Sequence, residues 1–357
     1  MLEVSLYMNL EIEKILHRKR NKPFVITNLT MHSMDASVFE YIEMKMHQKL
    51  RMDVSGYKEV VVVGMYDRSC EISDHEKTGK LTNWQRPTVE VVDDVLILKC
   101  FPGKDYVAHY ASLVASYFAL KGLPFDNVSF VIPTEQECWD AVYALPLDVI
   151  EKSDAIVVGS GLFNIAGETV LWQGNDEFLW ASEVLENGKK ISYAIFQFSF
   201  WGDILYRIIH VLAELGHTQA IFTAKIGGID DQIIPNDTLA TGSLTSINGE
   251  IVKWDNIFEA VQSEKLLVGT HVNSHSVLLE TKDWVRLFST FTFVDSEVGY
   301  FAKAAKEADL AFGYLHFVSN NLSKIFSEDL SNERSEVVIK KRSVLNSEIG
   351  KIIKKTI

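Results

Sequence analysis

The chain has 357 residues, 47% of them hydrophobic and 23% charged, with a formal net charge of −13. This composition excludes a disordered chain, the length is comfortable for two domains, and the acidic balance excludes a surface built to grip a nucleic-acid backbone. The three cysteines, Cys70, Cys100 and Cys138, are far apart and form no CxxC pair, which removes a structural zinc or redox motif and suits a reducing compartment.

Residues 1–50 scatter charges among apolar positions and read as helical. Residues 59–64 are a β-branched run ended by glycine, the signal of a buried strand. Residues 89–101 hold one or two further strands, broken at Asp93-Asp94, and residues 106–120 read as a helix stopped by Gly122-Leu123-Pro124. Another strand at 128–132 ends at Pro133. Residues 1–150 thus form an N-terminal α/β extension.

A second series occupies residues 151–357. Strands at 155–158, 191–198 and 220–223 are each followed by a turn, and a strong helix at 204–215 ends at Gly216. Repeated strand–turn–helix units specify an α/β fold with a mixed, mainly parallel sheet flanked by helices. Lys225-Ile226-Gly227-Gly228 reads as a turn that lets a ligand approach the backbone, and residues 233–238 resume the sheet. Basic residues from Lys340 to Lys355 read as the solvated face of a final helix. The N-terminus lacks the charged and apolar blocks of a signal peptide, and Asp203 and Arg207 interrupt the most apolar stretch, so the expectation is a cytoplasmic protein with no membrane span.

Several motifs carry chemistry. Gly159-Ser160-Gly161 follows a strand, where its amides and the Ser160 hydroxyl suit an anion, or where it is simply a tight turn. It lacks the third small residue of a dinucleotide-binding loop, and Val158 replaces the first glycine of a hydrolase elbow. Asp295-Ser296-Glu297 opens a helix, and the next strand ends on Ser319-Asn320-Asn321. Ligands of open α/β sheets sit beyond the C-terminal ends of strands, so Glu297 and Asn320 are placed to face one small-molecule pocket. His271 and His275 lie four apart, but without an HExxH pattern they read as polar groups at a pocket rim, and no metal is expected. Phe196, Phe198, Phe200 and Trp201 read as core, with Trp201 a candidate to line a base or sugar site.

The order of these pieces from residue 154 onward resembles the nucleoside phosphorylase and nucleosidase superfamily. The 23 positions between Glu297 and Asn320 agree with that family's sugar-binding and base-binding residues. The resemblance implies cleavage of a purine-type N-glycosidic bond, by phosphate or water, through an oxocarbenium-like transition state. It assigns Glu297 to the ribose hydroxyls and Asn320 to the departing base, as in the trimeric branch, with Ser160, Gly161, Ser199, Trp201, Lys225, Gly228 and Ser296 around the substrate. It implies no cofactor beyond phosphate as a possible co-substrate, and a homo-oligomer binding a small nucleoside-like ligand. The sequence departs from the family pattern at several places. Ser199-Phe200-Trp201 replace an arginine and a histidine, which leaves Lys225 as the substitute charge. Ser296 replaces methionine, and Asn164 and Glu168 stand nearest to the nucleosidase glutamate. These departures allow a second reading, a pocket kept for binding or for altered chemistry.

Overall fold

The computed structural model describes residues 12–52, 56–72 and 86–357. Strands β1 (Glu59–Gly64), β2 (Glu71–Ile72), β3 (Thr88–Val92), β4 (Val95–Cys100) and β5 (Val128–Val131) form a five-stranded sheet in the order β2-β3-β4-β1-β5. β1 lies parallel to both neighbours, and Val60 to Val63 are buried, as in a strand covered on both faces. Residues 89–101 belong to two antiparallel strands, with Asp93 at a φ of 51° in the turn between them.

The expectation of helix across residues 1–50 is corrected, and residues 1–11 lie outside the described residues. A helical segment at 12–16 is followed by chain that is not α-helical until Ser37–Lys45 and Gln48–Met52. Pro23 has no amide to offer a helix interior, Asn21 pairs with Phe130, and the Asn28 side chain accepts from the Thr30 amide in a short 3-10 turn.

The helix Lys104–Leu120 packs on β1 and β5. Its Lys104 and Asp105 amides each donate to the Asp203 carboxylate at 3.1 Å, and Arg207 holds that carboxylate at 2.7 Å. A residue from beyond position 200 therefore caps a helix that precedes it by a hundred positions, which fastens the five-stranded sheet to the rest of the chain.

Residues 155–321 build two further sheets. β6 (Ala155–Gly159), β7 (Gln173–Gly174), β8 (Phe178–Val184), β9 (Lys190–Phe196), β10 (Gln219–Thr223) and β18 (Ala311–Tyr314) make six strands in the order β18-β10-β6-β9-β8-β7, the first four of them parallel. The second sheet contains β11 (Lys225–Gly228), β12 (Leu239–Thr241), β13 (Leu244–Ile247), β14 (Glu250–Lys253), β15 (Leu266–Val268), β16 (His271–Asn273), β17 (Phe293–Asp295) and β19 (His316–Asn321), in the order β14-β13-β16-β17-β11-β19-β12-β15. The fold is thus mixed α/β, with mainly parallel pairing and helices on the sheets.

Two strands pass from one sheet into the other. β10 runs on into β11 through Ala224, and β18 into β19 through Leu315. At the crossing the Ala224 amide donates to Nδ1 of His316 at 3.1 Å, so a buried side chain supplies a bond outside the backbone ladder. Lys225 to Gly228, read above as a turn, is therefore strand. Residues 233–238 do not resume the sheet; they are turn and loop, because Pro235 lacks an amide and Asn236 takes a φ of 56°. The final helix, Glu336–Thr356, exposes Lys340, Lys341, Lys351 and Lys355, while Arg342 turns inward to the Asn236 side chain and Lys354 to Glu183.

Gly159 closes β6 at a φ of 137°, and a Cβ there would lie 1.8 Å from the Thr223 carbonyl oxygen. Gly159→Ala should lower the unfolding free energy by about 2 kcal/mol or more, measured by urea denaturation. A change within about 0.5 kcal/mol would contradict this packing.

Candidate functional site

The cavity sits where the two sheets part and has a volume of about 200 Å³. At roughly 30 Å³ per water it is on the scale of a small molecule. Ser160 and Ser199 reach it from beyond the C-terminal ends of β6 and β9. Ala224, Lys225, Ile226 and Gly227 border it at the crossing strand, Ser319 and Asn320 on β19, and Asp295, Ser296 and Glu297 at the end of β17. The topology brings these residues together because β11, β17 and β19 are neighbours in one sheet.

Asp295 organises one side of the cavity. Its Oδ1 accepts from the Glu297 and Val298 amides at 2.9 Å each and caps the helix Val298–Glu307. His271 Nε2 lies 2.9 Å from the same oxygen, and His316 Nε2 lies 3.5 Å from Oδ2. Burial alone would push this carboxyl up, but the two histidines overcome it and hold Asp295 far below the usual range. The far ring nitrogen of His271 is anchored 2.7 Å from Thr245 Oγ1. His275 stands apart from that pair; Asp105 at 2.9 Å raises its pKa, and Asn248 holds its other nitrogen. Among the described residues there is no group of three metal-ligating side chains.

Glu297 and Glu280 share the cavity with that charge. Burial is the main cause that raises both carboxyls well above the usual range, and the Asp295 charge adds to it. The backbone amides of Ser296 and Gly202, with Lys225, act against the rise at Glu297.

Of the residues singled out in the sequence, Ser160, Ser199, Trp201, Lys225, Ser296, Glu297 and Asn320 line the cavity, and Gly161 and Gly228 do not. Gly161 is a packing position, since a Cβ there would lie 2.4 Å from the Asn346 side chain. Gly228 faces Ile233, and Gly227 is the glycine at the cavity. The Ser160 amide donates to the Thr223 carbonyl at 2.8 Å, so that amide is already engaged, while Ser160 itself borders the cavity. Asn164 and Glu168 are exposed and do not line the cavity.

The sequence reading missed the residues that the first 150 positions contribute: Tyr41, Lys45, Arg86, Tyr106, His109, Tyr110 and Leu113. Arg86 donates to Ser199 Oγ at 2.9 Å, so the region after β9 does have a basic group beside it, delivered from elsewhere in the chain. Lys45 did leave a signal. Val38, Tyr41, Ile42 and Lys45 recur at helical spacing and all are buried, so a lysine occupies a core position on an apolar stripe. His109 stacks on Trp201 at 4.2 Å and 11°, and the Trp201 indole donates to the His275 carbonyl at 3.0 Å. Burial, then the charges of Lys45 and Arg86, bring His109 down to about 3, so this ring is neutral and extends the aromatic wall.

No family model matches the chain, and no curated protein matches it. Solved structures similar to it include a 5′-methylthioadenosine/S-adenosylhomocysteine nucleosidase from Colwellia psychrerythraea 34H in complex with adenine, at 12% identity, 58% of this chain, 96% of that chain and a TM-score of 0.44. A futalosine hydrolase mutant of Helicobacter pylori strain 26695 is similar at 14% identity over 57% of this chain and 97% of that one, with a TM-score of 0.43. A uridine phosphorylase from Vibrio fischeri ES114 gives 14% identity, 57% and 88% coverage, and a TM-score of 0.45.

Asp295→Asn keeps an acceptor for the helix amides and removes the charge between the histidines. The depressed pKa of Asp295 contributes stability that is present above the ordinary aspartate range and lost as pH falls through the folded value. The variant should therefore be less stable by about 2 kcal/mol or more at neutral pH, with the deficit shrinking below about pH 4 in urea titrations. A deficit independent of pH would contradict the role of the charge.

Proposed function

We propose that the cavity binds a purine-type nucleoside and that the protein cleaves or exchanges its N-glycosidic bond, with phosphate or water as acceptor. One observation carries this reading: Glu297 and Asn320 border the same small cavity, beside the aromatic groups Phe200 and Trp201. A nucleoside has a flat base with a polar edge, and a sugar with neighbouring hydroxyls. The aromatic wall suits the base faces, the amide suits an edge that both donates and accepts, and a carboxylate accepts from two hydroxyls.

In this reading Glu297 holds the ribose hydroxyls. Hydroxyl donors favour its ionised form, and so does the positive charge that grows on the sugar as the bond breaks. The interaction is stronger in the transition state than in the ground state, which is the condition for raising kcat. The departing base also needs a proton. Asn320 can hydrogen-bond the base but cannot act as a general acid. Glu280 lines the same cavity and is held toward its protonated form, so we assign it the acid role. The alternative is a pocket that binds without turnover, and the following experiments separate the two.

Free-base release from a panel of purine and pyrimidine nucleosides, with and without phosphate, tests the activity directly. Turnover should be found with a purine nucleoside, and Glu297→Gln should lower kcat/KM by about a hundredfold or more. Release from no nucleoside under either condition would refute turnover in favour of binding alone.

Glu280→Gln separates catalysis from folding. A carboxyl whose folded pKa is raised contributes stability that is complete below the ordinary glutamate range and is lost as pH rises through the folded value. The glutamine variant should be as stable as the parent near pH 4 and more stable at about pH 8, while kcat falls by about a hundredfold or more. Unchanged kcat would remove Glu280 from the acid role.

A further inference from the structure

We propose that His275, paired with Asp105, positions the aromatic wall of the cavity, and that it holds the wall in place in its charged form. Neither side chain lines the cavity, so the effect passes through the loop that follows β16. The His275 carbonyl accepts from the Trp201 indole at 3.0 Å, and the neighbouring Ser276 hydroxyl lies 2.7 Å from His109 Nδ1. Those two rings stack on each other, so the loop grips both members of the stack. The His275 ring in turn ties down the loop. Nδ1 lies 2.9 Å from Asp105 Oδ2, and Nε2 lies 2.7 Å from Asn248 Oδ1. Both partners present oxygen acceptors, and only an imidazolium donates from both nitrogens.

Asp105 reaches the same wall from the other side. It stands 170 positions before His275, in the first turn of the helix Lys104–Leu120, with its amide on Asp203. A Cβ at Gly202 would lie 2.8 Å from Asp105 Oδ2, so this carboxylate packs against the residue that follows Trp201, where a φ of 54° suits glycine. The groups facing the pair are Asp203 and Arg207 on the helix Asp203–Glu214, Tyr300 on the helix Val298–Glu307, whose hydroxyl bonds Asp105, Asn248 in the turn between β13 and β14, and Lys22 across a second cavity of about 150 Å³. The bond to Asp105 raises the His275 pKa against burial, and the charges of Asp105 and Asp203 add to the rise. The stability from this pair is complete below the ordinary histidine range and is lost as pH rises through the folded value. Above that value a neutral bond, roughly half as strong, replaces the charge-assisted one, and one ring nitrogen no longer donates. His109 has a pKa of about 3 and does not titrate in this window. The arrangement of the wall needs no ligand; only its service to a base rests on the nucleoside reading.

The emission of the full chain minus that of its Trp201→Phe variant, followed from about pH 5 to about pH 9, reports on Trp201 without a ligand. This signal should change in a one-proton step with a midpoint above the ordinary histidine value of about 6.5. The step should vanish in His275→Gln, which keeps an amide donor for Asp105 and cannot take a charge. In Asp105→Asn its midpoint should fall to about 6.5 or below. Comparing the total emission of the parent with that of His275→Gln gives the same step without any change at Trp201. Titration with formycin, a C-nucleoside analogue of adenosine, adds the ligand. The parent should bind it at least about threefold more tightly at about pH 6 than at about pH 8.5, and His275→Gln should narrow that ratio to within about 1.5-fold. A Trp201 step that depends on His275, without formycin binding at either pH, would support the positioning pair and refute the nucleoside reading. No Trp201 step, or one that survives in His275→Gln, would overturn the proposal. So would formycin binding with the same pH dependence in the parent and in His275→Gln.

Discussion

A single buried carboxylate sets the character of the site. Asp295 ends a strand, caps the helix that follows, and lies between two fully buried histidines. Taking such a charge out of water is costly, and the helix amides with the two imidazoles offset the cost. The consequence reaches past Asp295 itself. Its charge helps to keep Glu280 and Glu297 protonated, so one ionised acid and two acids held toward neutrality surround the same space. Separation of carboxyl pKa values by environment is how a protein assigns different roles to chemically identical groups. His316 links this centre to the fold, since its other nitrogen receives the Ala224 amide where a strand changes sheets.

The crossing of two strands between sheets also explains why the cavity exists. Continuous strands would fill the space with paired backbone, whereas the parting at Ala224 and Leu315 opens a gap edged by Lys225, Gly227, Ser319 and Asn320. The N-terminal segment then closes the gap. Asp203 and Arg207 fasten its long helix, which brings Tyr106, His109 and Tyr110 against the opening, while the Tyr110 hydroxyl donates to the Lys45 carbonyl at 3.2 Å. The five-stranded sheet and its helices are therefore part of the site, and the cavity draws its cations from both halves of the chain.

Much of this was readable from residues, and the failures have physical causes. The strands at Val60 to Val63 and Ile156 to Val158 announce themselves because both faces are buried and the run is uniformly apolar. Glu297 and Asn320 stood out because each follows or ends a strand where ligands gather. Lys225 to Gly228 misled because two glycines suggest a turn, while here they permit close packing against Leu322, Val294 and Ile233 within a strand. Arg86 and Glu280 left no local mark, since their roles depend on contacts across 113 positions in one case and on burial alone in the other. Lys45 was visible in principle as a charge on an apolar helical stripe. Gly161 carried a motif's appearance, but its neighbour is the Asn346 side chain of the last helix.

Glu297 and Asn320 are proposed to hold the two ends of one nucleoside. A crystal structure with a C-nucleoside, whose carbon–carbon link to the base resists cleavage, measures this most directly. The sugar hydroxyls should then lie within hydrogen-bond distance of Glu297, the base edge at Asn320, and a base face against Trp201 or Phe200. A ligand bound in the reverse orientation, or outside this cavity, would contradict it.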